Sequence, residues 1–94
     1  MTLADFNASL AAETPPTLPP ALTALWWLSR ENWVRAHEAV DTAPGTEAAA
    51  VHALLHRIEG DEWNAGYWYR RAGRAVFKGS FGEERRALLA ELLG

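Results

Sequence analysis

The 94-residue chain has no cysteine, a single methionine, and only five residues that are Val or Ile. Lacking cysteine, it has no disulfide framework, no thiol nucleophile and no thiolate-ligated zinc. No apolar run approaches the ~20 residues of a membrane span, so a membrane partner is not expected. The opening residues, MTLADFNASLAAE, contain neither a basic leader nor a cleavable apolar segment, and the chain reads as cytoplasmic. What it does have is 18 Ala and 12 Leu, nearly a third of all residues, which points to one small all-α domain. A chain of this size hides about 60–65% of its unfolded surface, enough for a single core. Five Trp, two Tyr and three Phe are a heavy load for such a core.

The net charge of −3 conceals an asymmetry. Residues 1–65 carry Arg30, Arg35 and Arg57 against nine acids, whereas residues 66–94 carry six bases against Glu83, Glu84 and Glu91. Arg70, Arg71, Arg74 and Lys78 follow one another with no acid between them, a stripe suited to a carboxylate, a phosphate or the acidic half of the same protein.

Thr2 and Asp5, ahead of Leu3, Phe6 and Leu10, predict a short N-terminal helix. TPPTLPP then makes residues 14–19 an extended connector, so the chain divides into 1–19 and a helical domain over 20–94. Pro20 suits the first position of a helix that places Leu22, Leu25, Trp26 and Ser29 on one face and points Trp27 away from it. Asn32 caps a second helix, with Trp33, Ala36, His37 and Val40 on one side. After the Pro44-Gly45 break, with Thr46 as cap, residues 47–59 form an amphipathic helix with a Val51, Leu54, Leu55, Ile58 stripe. Gly60 stops it and Asp61 caps the next, over residues 62–75. Ala65, Trp68, Tyr69, Ala72 and Val76 make one face of that helix, flanked by a small-residue seam at Gly66 and Gly73. Trp63, Tyr67, Arg70 and Arg74 make another. Ser80 and Glu83 form a capping box for a last helix, 81–93, with Phe81, Arg85, Leu88 and Leu92 aligned.

Shifted on itself by 29 residues, the chain superposes Ala36 on Ala65, Ala43 on Ala72 and Glu31-Asn32 on Gly60-Asp61. The copy LLHRIEGDEWNAGYWYRRA resembles a tetratricopeptide repeat, with Gly60-Asp61 at the turn and Ala65, Trp68, Tyr69 and Ala72 at small and aromatic positions of its second helix. This implies a bundle of about five helices built from two such hairpins, with terminal helices as caps. The block HALLHRIEGDEWNAGYWYRRAG, residues 52–73, together with NWVRAHEAV, also resembles a family of short, uncharacterised microbial helical proteins with an HRxEGDxxNAxYWYxRAG-like signature. That resemblance implies a stable helical module and supplies no activity. Glu31-Asn32 stands where the group has Gly-Asp, so it does not imply an identical closure of the first hairpin.

Two candidate sites emerge. The Trp63, Asn64, Tyr67, Arg70, Arg71, Arg74 face, with Trp27 as a further exposed ring, has the residue types that dominate binding hot spots, because they combine large area with a cationic or directional handle. It points to a non-catalytic module that binds a protein segment or an acidic ligand, or self-associates as a homodimer, with no cofactor; a pI near 5.5 argues against nucleic acid. The alternative is a small metal-dependent or acid–base enzyme using His52, His56 and Glu59, which lie at i, i+4, i+7, with His37 as a possible third nitrogen. Glu59, Asp61 and Glu62 cluster at one turn, where helix capping already accounts for Asp61 and Glu62.

Overall fold

The computed structural model describes residues 1–94 and contains six helices and no strand: α1 (Leu3–Ser9), α2 (Pro20–Ser29), α3 (Trp33–Val40), α4 (Thr46–Ile58), α5 (Glu62–Ala72) and α6 (Phe81–Leu93). The chain is thus all-α, with six helices where about five were expected. The expected short N-terminal helix, α1, is closed by a reciprocal pair: Asp5 N–H donates to Thr2 Oγ1 and Thr2 N–H to the Asp5 carboxylate, each at 3.1 Å. Ser80 and Glu83 close α6 in the same way. Phe6 of α1 is fully buried, and the Trp26 indole N–H donates to Ser9 Oγ at 3.0 Å. The N-terminal helix therefore belongs to the core, where burial of the Phe6 ring alone contributes roughly 2–3 kcal/mol.

Helices α2 and α3, and α4 and α5, pack against one another across short turns of the same design. Asn32 N–H donates to Trp27 O at 2.9 Å, and Asp61 N–H to His56 O at 2.9 Å, 29 residues on. Asn32 Oδ1 then accepts from Arg35 N–H, and Asp61 Oδ1 from Asn64 N–H, both at 3.0 Å. The residue before each cap lies in the left-handed region: Gly60 at φ 83°, and Glu31 at φ 58°. A side chain there costs about 1–2 kcal/mol. Glu31 adopts it where α2 packs on α3 through the same turn hydrogen bonds, and the first hairpin closes like the second despite its different turn residues.

Helix α4 is buried on all sides from Ala48 through Leu55, rather than along the single Val51–Leu54–Leu55–Ile58 stripe. Its alanines allow α2, α3, α5 and α6 to approach from different directions, making it the central helix. Gly45, not Thr46, is its N-cap, without a side-chain bond. The next helix ends earlier than residue 75: Gly73, at φ 71°, is a left-handed C-cap and not part of a packing seam. Beyond it the chain leaves the helix, so Val76 is 47% exposed, and Phe81, at the start of α6, is 45% exposed.

Candidate functional site

Three imidazoles converge where the two hairpins meet. His37 is the fifth residue of α3, and His52 and His56 lie one turn apart on α4. Packing of α3 against α4 brings His37 Nε2 to 3.0 Å from His52 Nε2, so that one ring donates to the other's lone pair. The ligand nitrogens of all three lie within 4.8 Å of one another. Indole rings wall the cluster on two sides: Trp33 stacks on His37 at 4.9 Å, and Trp68 stacks on His52 at 3.9 Å. Trp33 is itself anchored by its indole N–H, which donates to Leu55 O at 2.8 Å.

His52 is 2% exposed, and its Nδ1 is buried without a hydrogen-bond partner. Burial first, and then the neighbouring His37 and His56, push its pKa down to about 4. It is therefore neutral at pH 7, the form in which an imidazole offers a lone pair to a cation. His56 Nδ1 meets Glu59 Oε1 at 2.5 Å, a pairing that orients the ring and leaves Nε2 for the cluster. Asp41 Oδ1 lies 4.0 Å from His37 Nε2, adding a carboxylate at the solvent edge.

A tetrahedral ion with nitrogen ligands at about 2.0–2.1 Å sets those nitrogens roughly 3.3 Å apart. The His37 and His52 Nε2 atoms, 3.0 Å apart, are close to this spacing, and all three ligand nitrogens lie within 4.8 Å of one another. The other acidic grouping, His56 with Glu59 and Asp61, is explained differently. Asp61 is fully engaged in capping α5, accepting from both Asn64 N–H and Asn64 Nδ2, and these bonds hold its carboxyl below the usual range.

Across the α4–α5 pair lies a second buried polar group. Glu84 of α6, 3% exposed, accepts from Arg57 Nη1 at 2.7 Å and from the Tyr69 hydroxyl at 2.5 Å. Arg57 also donates to Gly79 O and lies over the Phe81 ring at 4.9 Å. Both carboxylate oxygens have partners, and burial together with the bond to Glu84 raises the Tyr69 phenol above its ordinary range. Little in the sequence signals this network, since its members come from three separate segments. The one available signal is that Glu84 stands a turn before buried Leu88 on the inner face of α6.

The aromatic-basic residues of α5 are not held together as one face. Trp63 is 75% exposed, with the half-buried Tyr67 ring parallel to it at 6.5 Å. Arg71, rather than Arg70 or Arg74, joins them, donating to Tyr67 Oη at 3.0 Å and lying 5.4 Å from the Trp68 ring. Arg70 is exposed and folds along Gly66. Arg74 lies past the helix end and pairs with Glu91 of α6. Asn64 serves the α5 cap. Trp27 is half-buried rather than exposed, edge-on to Trp26 at 5.0 Å and covered by Arg35, because the tight turn draws the end of α2 toward α3.

No family model matches the chain, and neither the curated proteins nor the solved structures contain a match to it.

Proposed function

We propose that this chain is a small metal-binding helical protein in which His37, His52 and His56 hold a first-row divalent ion such as zinc. The observation that carries this reading is His52. It is buried, and its Nε2 faces His37 Nε2 at 3.0 Å with His56 beside it, so that three imidazole nitrogens lie within 4.8 Å of one another. Packing three imidazoles together at a helix junction costs free energy that a core built only for stability would avoid with aliphatic side chains. Imidazole nitrogens suit zinc, copper, nickel and iron, and three of them leave a coordination position for water or another ligand, as in reactive rather than closed structural sites. Trp33 and Trp68 restrict water around the cluster, Glu59 fixes the His56 ring, and Asp41 faces the open side.

The test is metal uptake by untagged protein, measured by calorimetry and by elemental analysis after dialysis. One ion per chain is expected, lost in His52→Leu and in the double variant His37→Ala/His56→Ala. Equal uptake by the wild type and His52→Leu, or none by the wild type, overturns the proposal.

The scaffold is read as two tetratricopeptide-like hairpins, α2–α3 and α4–α5, capped by α1 and α6. The matching turn hydrogen bonds 29 residues apart support it. A second reading keeps the outer face of α5 as a docking surface for a protein segment, an acidic ligand or a second copy. It is favoured by Trp63, whose 75% exposure is far more than a core role requires. Trp63→Ala combined with Arg70→Glu should leave the melting temperature unchanged while abolishing any self-association seen by sedimentation.

A further inference from the structure

Beside the histidines, between the α3–α4 connection and α5, runs a cleft of about 480 Å³ lined by Asp41, Thr42, Thr46, Trp68 and Arg71, among others. None of the three histidines lines it, but two of its walls adjoin them. Asp41 lies 4.0 Å from His37 Nε2, and Trp68 is the ring stacked on His52. Arg71 is one helical turn beyond Trp68, so both present to the same side of α5.

Arg71 is unlike the other guanidiniums that line or approach cavities here. Arg57 is tied to Glu84 and Arg74 to Glu91, whereas Arg71 has no carboxylate partner. Its position is nonetheless defined: it donates to Tyr67 Oη at 3.0 Å and lies over both Tyr67 and Trp68, at 5.8 and 5.4 Å. A guanidinium has five N–H donors in a planar fork, and one bond to a phenol leaves most of them free to face the cleft. An unpaired cation held in one orientation at the wall of a concavity is what bidentate recognition of a carboxylate or phosphate needs.

We infer that the cleft seats a small oxyanion, a carboxylate or a phosphate, gripped by Arg71 beside an ion held by His37, His52 and His56. This rests on the metal-site reading above and adds the class of ligand to it. The charges make the two events dependent on each other. Arg71 and Asp41 alone cancel, so the empty cleft has no preference for an anion. A divalent ion beside His37 offsets Asp41 and leaves the cleft strongly positive. Anion binding therefore follows ion loading.

The experiment uses wild type, Arg71→Gln and Arg71→Lys loaded with cobalt(II), whose visible absorption reports its ligands. Each is titrated with inorganic phosphate and, separately, acetate, with chelator-treated protein as a control and circular dichroism to check folding. All three proteins should take up cobalt equally. Phosphate or acetate should change the wild-type spectrum, with affinity about tenfold or more lower in Arg71→Gln and an intermediate loss in Arg71→Lys, which keeps the charge but not the fork. The chelated protein should bind neither anion, and the tighter of the two identifies the ligand's chemistry. If cobalt is bound but the spectrum ignores both anions, or Arg71→Gln responds like wild type, the oxyanion inference fails and the metal site stands. If cobalt is not bound, the metal site itself is wrong and the inference falls with it.

Discussion

The two buried polar groups of this small protein share the same pair of helices and are built in opposite ways. On one side of α4–α5, Glu84 receives Arg57 on one oxygen and Tyr69 on the other, and Arg57 spends a further donor on Gly79 O. On the other side, His37, His52 and His56 crowd together, and His52 keeps a buried nitrogen with no partner. A completed network repays its own desolvation and fixes how α6 sits on the hairpin. An incomplete one is a standing cost, carried here by the buried His52 Nδ1.

The largest expected effect comes from breaking the completed network. Glu84→Ala leaves Arg57 and the Tyr69 hydroxyl without their acceptor, and should lower unfolding free energy by about 3–5 kcal/mol in urea titration. A loss below about 1 kcal/mol would mean that the two groups are not so different.

The pH dependence of the metal-free protein comes next, because each group guards one side of neutrality. His52 titrates near 4 when folded and near 6.5 when unfolded. The unfolded chain thus takes up the proton first. Stability is whole above pH 6.5 and drains as pH falls toward 4, by up to roughly 3 kcal/mol. Tyr69 has the opposite sense: its folded pKa lies above the ordinary 10.0, so its contribution holds below pH 10 and is lost as pH rises beyond it. Replacing His52 by Leu should flatten a melting-temperature profile between pH 6.5 and 4, leaving the alkaline limb and the more acidic loss from the capping carboxylates Asp5, Asp61 and Glu83 in place.

At neutral pH, His52→Leu should change the stability of the metal-free protein by no more than about 1 kcal/mol, in contrast to Glu84→Ala, since an aliphatic side chain of similar bulk removes the orphaned nitrogen. The smallest effect on stability belongs to Glu59→Gln. Its exposed pairing with His56 should be worth under ~0.5 kcal/mol to the fold, while zinc affinity falls by about tenfold because the His56 ring loses its orienting carboxylate. A large destabilisation with unchanged zinc affinity would place Glu59 on the structural side of the comparison.

The completed network was nearly illegible in the sequence, and the open one half legible. His52 and His56 announce themselves at i, i+4 on α4, but His37 joins them only through the packing of α3 on α4, which no local pattern encodes. Caps were readable because they are local chemistry: Thr2 with Asp5, Asn32, Asp61, and Ser80 with Glu83 all stand where side-chain oxygens meet the first free amides. The all-round burial of α4 was hidden by its alanines, which carry too little apolar signal to mark a face. Arg74 was misplaced for a related reason: its helical spacing to Trp63 and Tyr67 continues in the sequence although Gly73 ends the helix.

The histidine site straddles the junction between the two hairpins, and this gives it a bearing on time as well as on affinity. Only two side-chain hydrogen bonds cross that junction, Trp33 to Leu55 O and His37 to His52; the rest is apolar contact. An ion on all three imidazoles would act as a third, stronger tie. Opening of α3 from α4 would strip His37 from the ion, so ion binding and separation of the hairpins would oppose each other. Amide hydrogen exchange should slow in every motion that separates the hairpins, by a factor that grows with ion concentration over Kd, and stay unchanged where only the end of α6 frays.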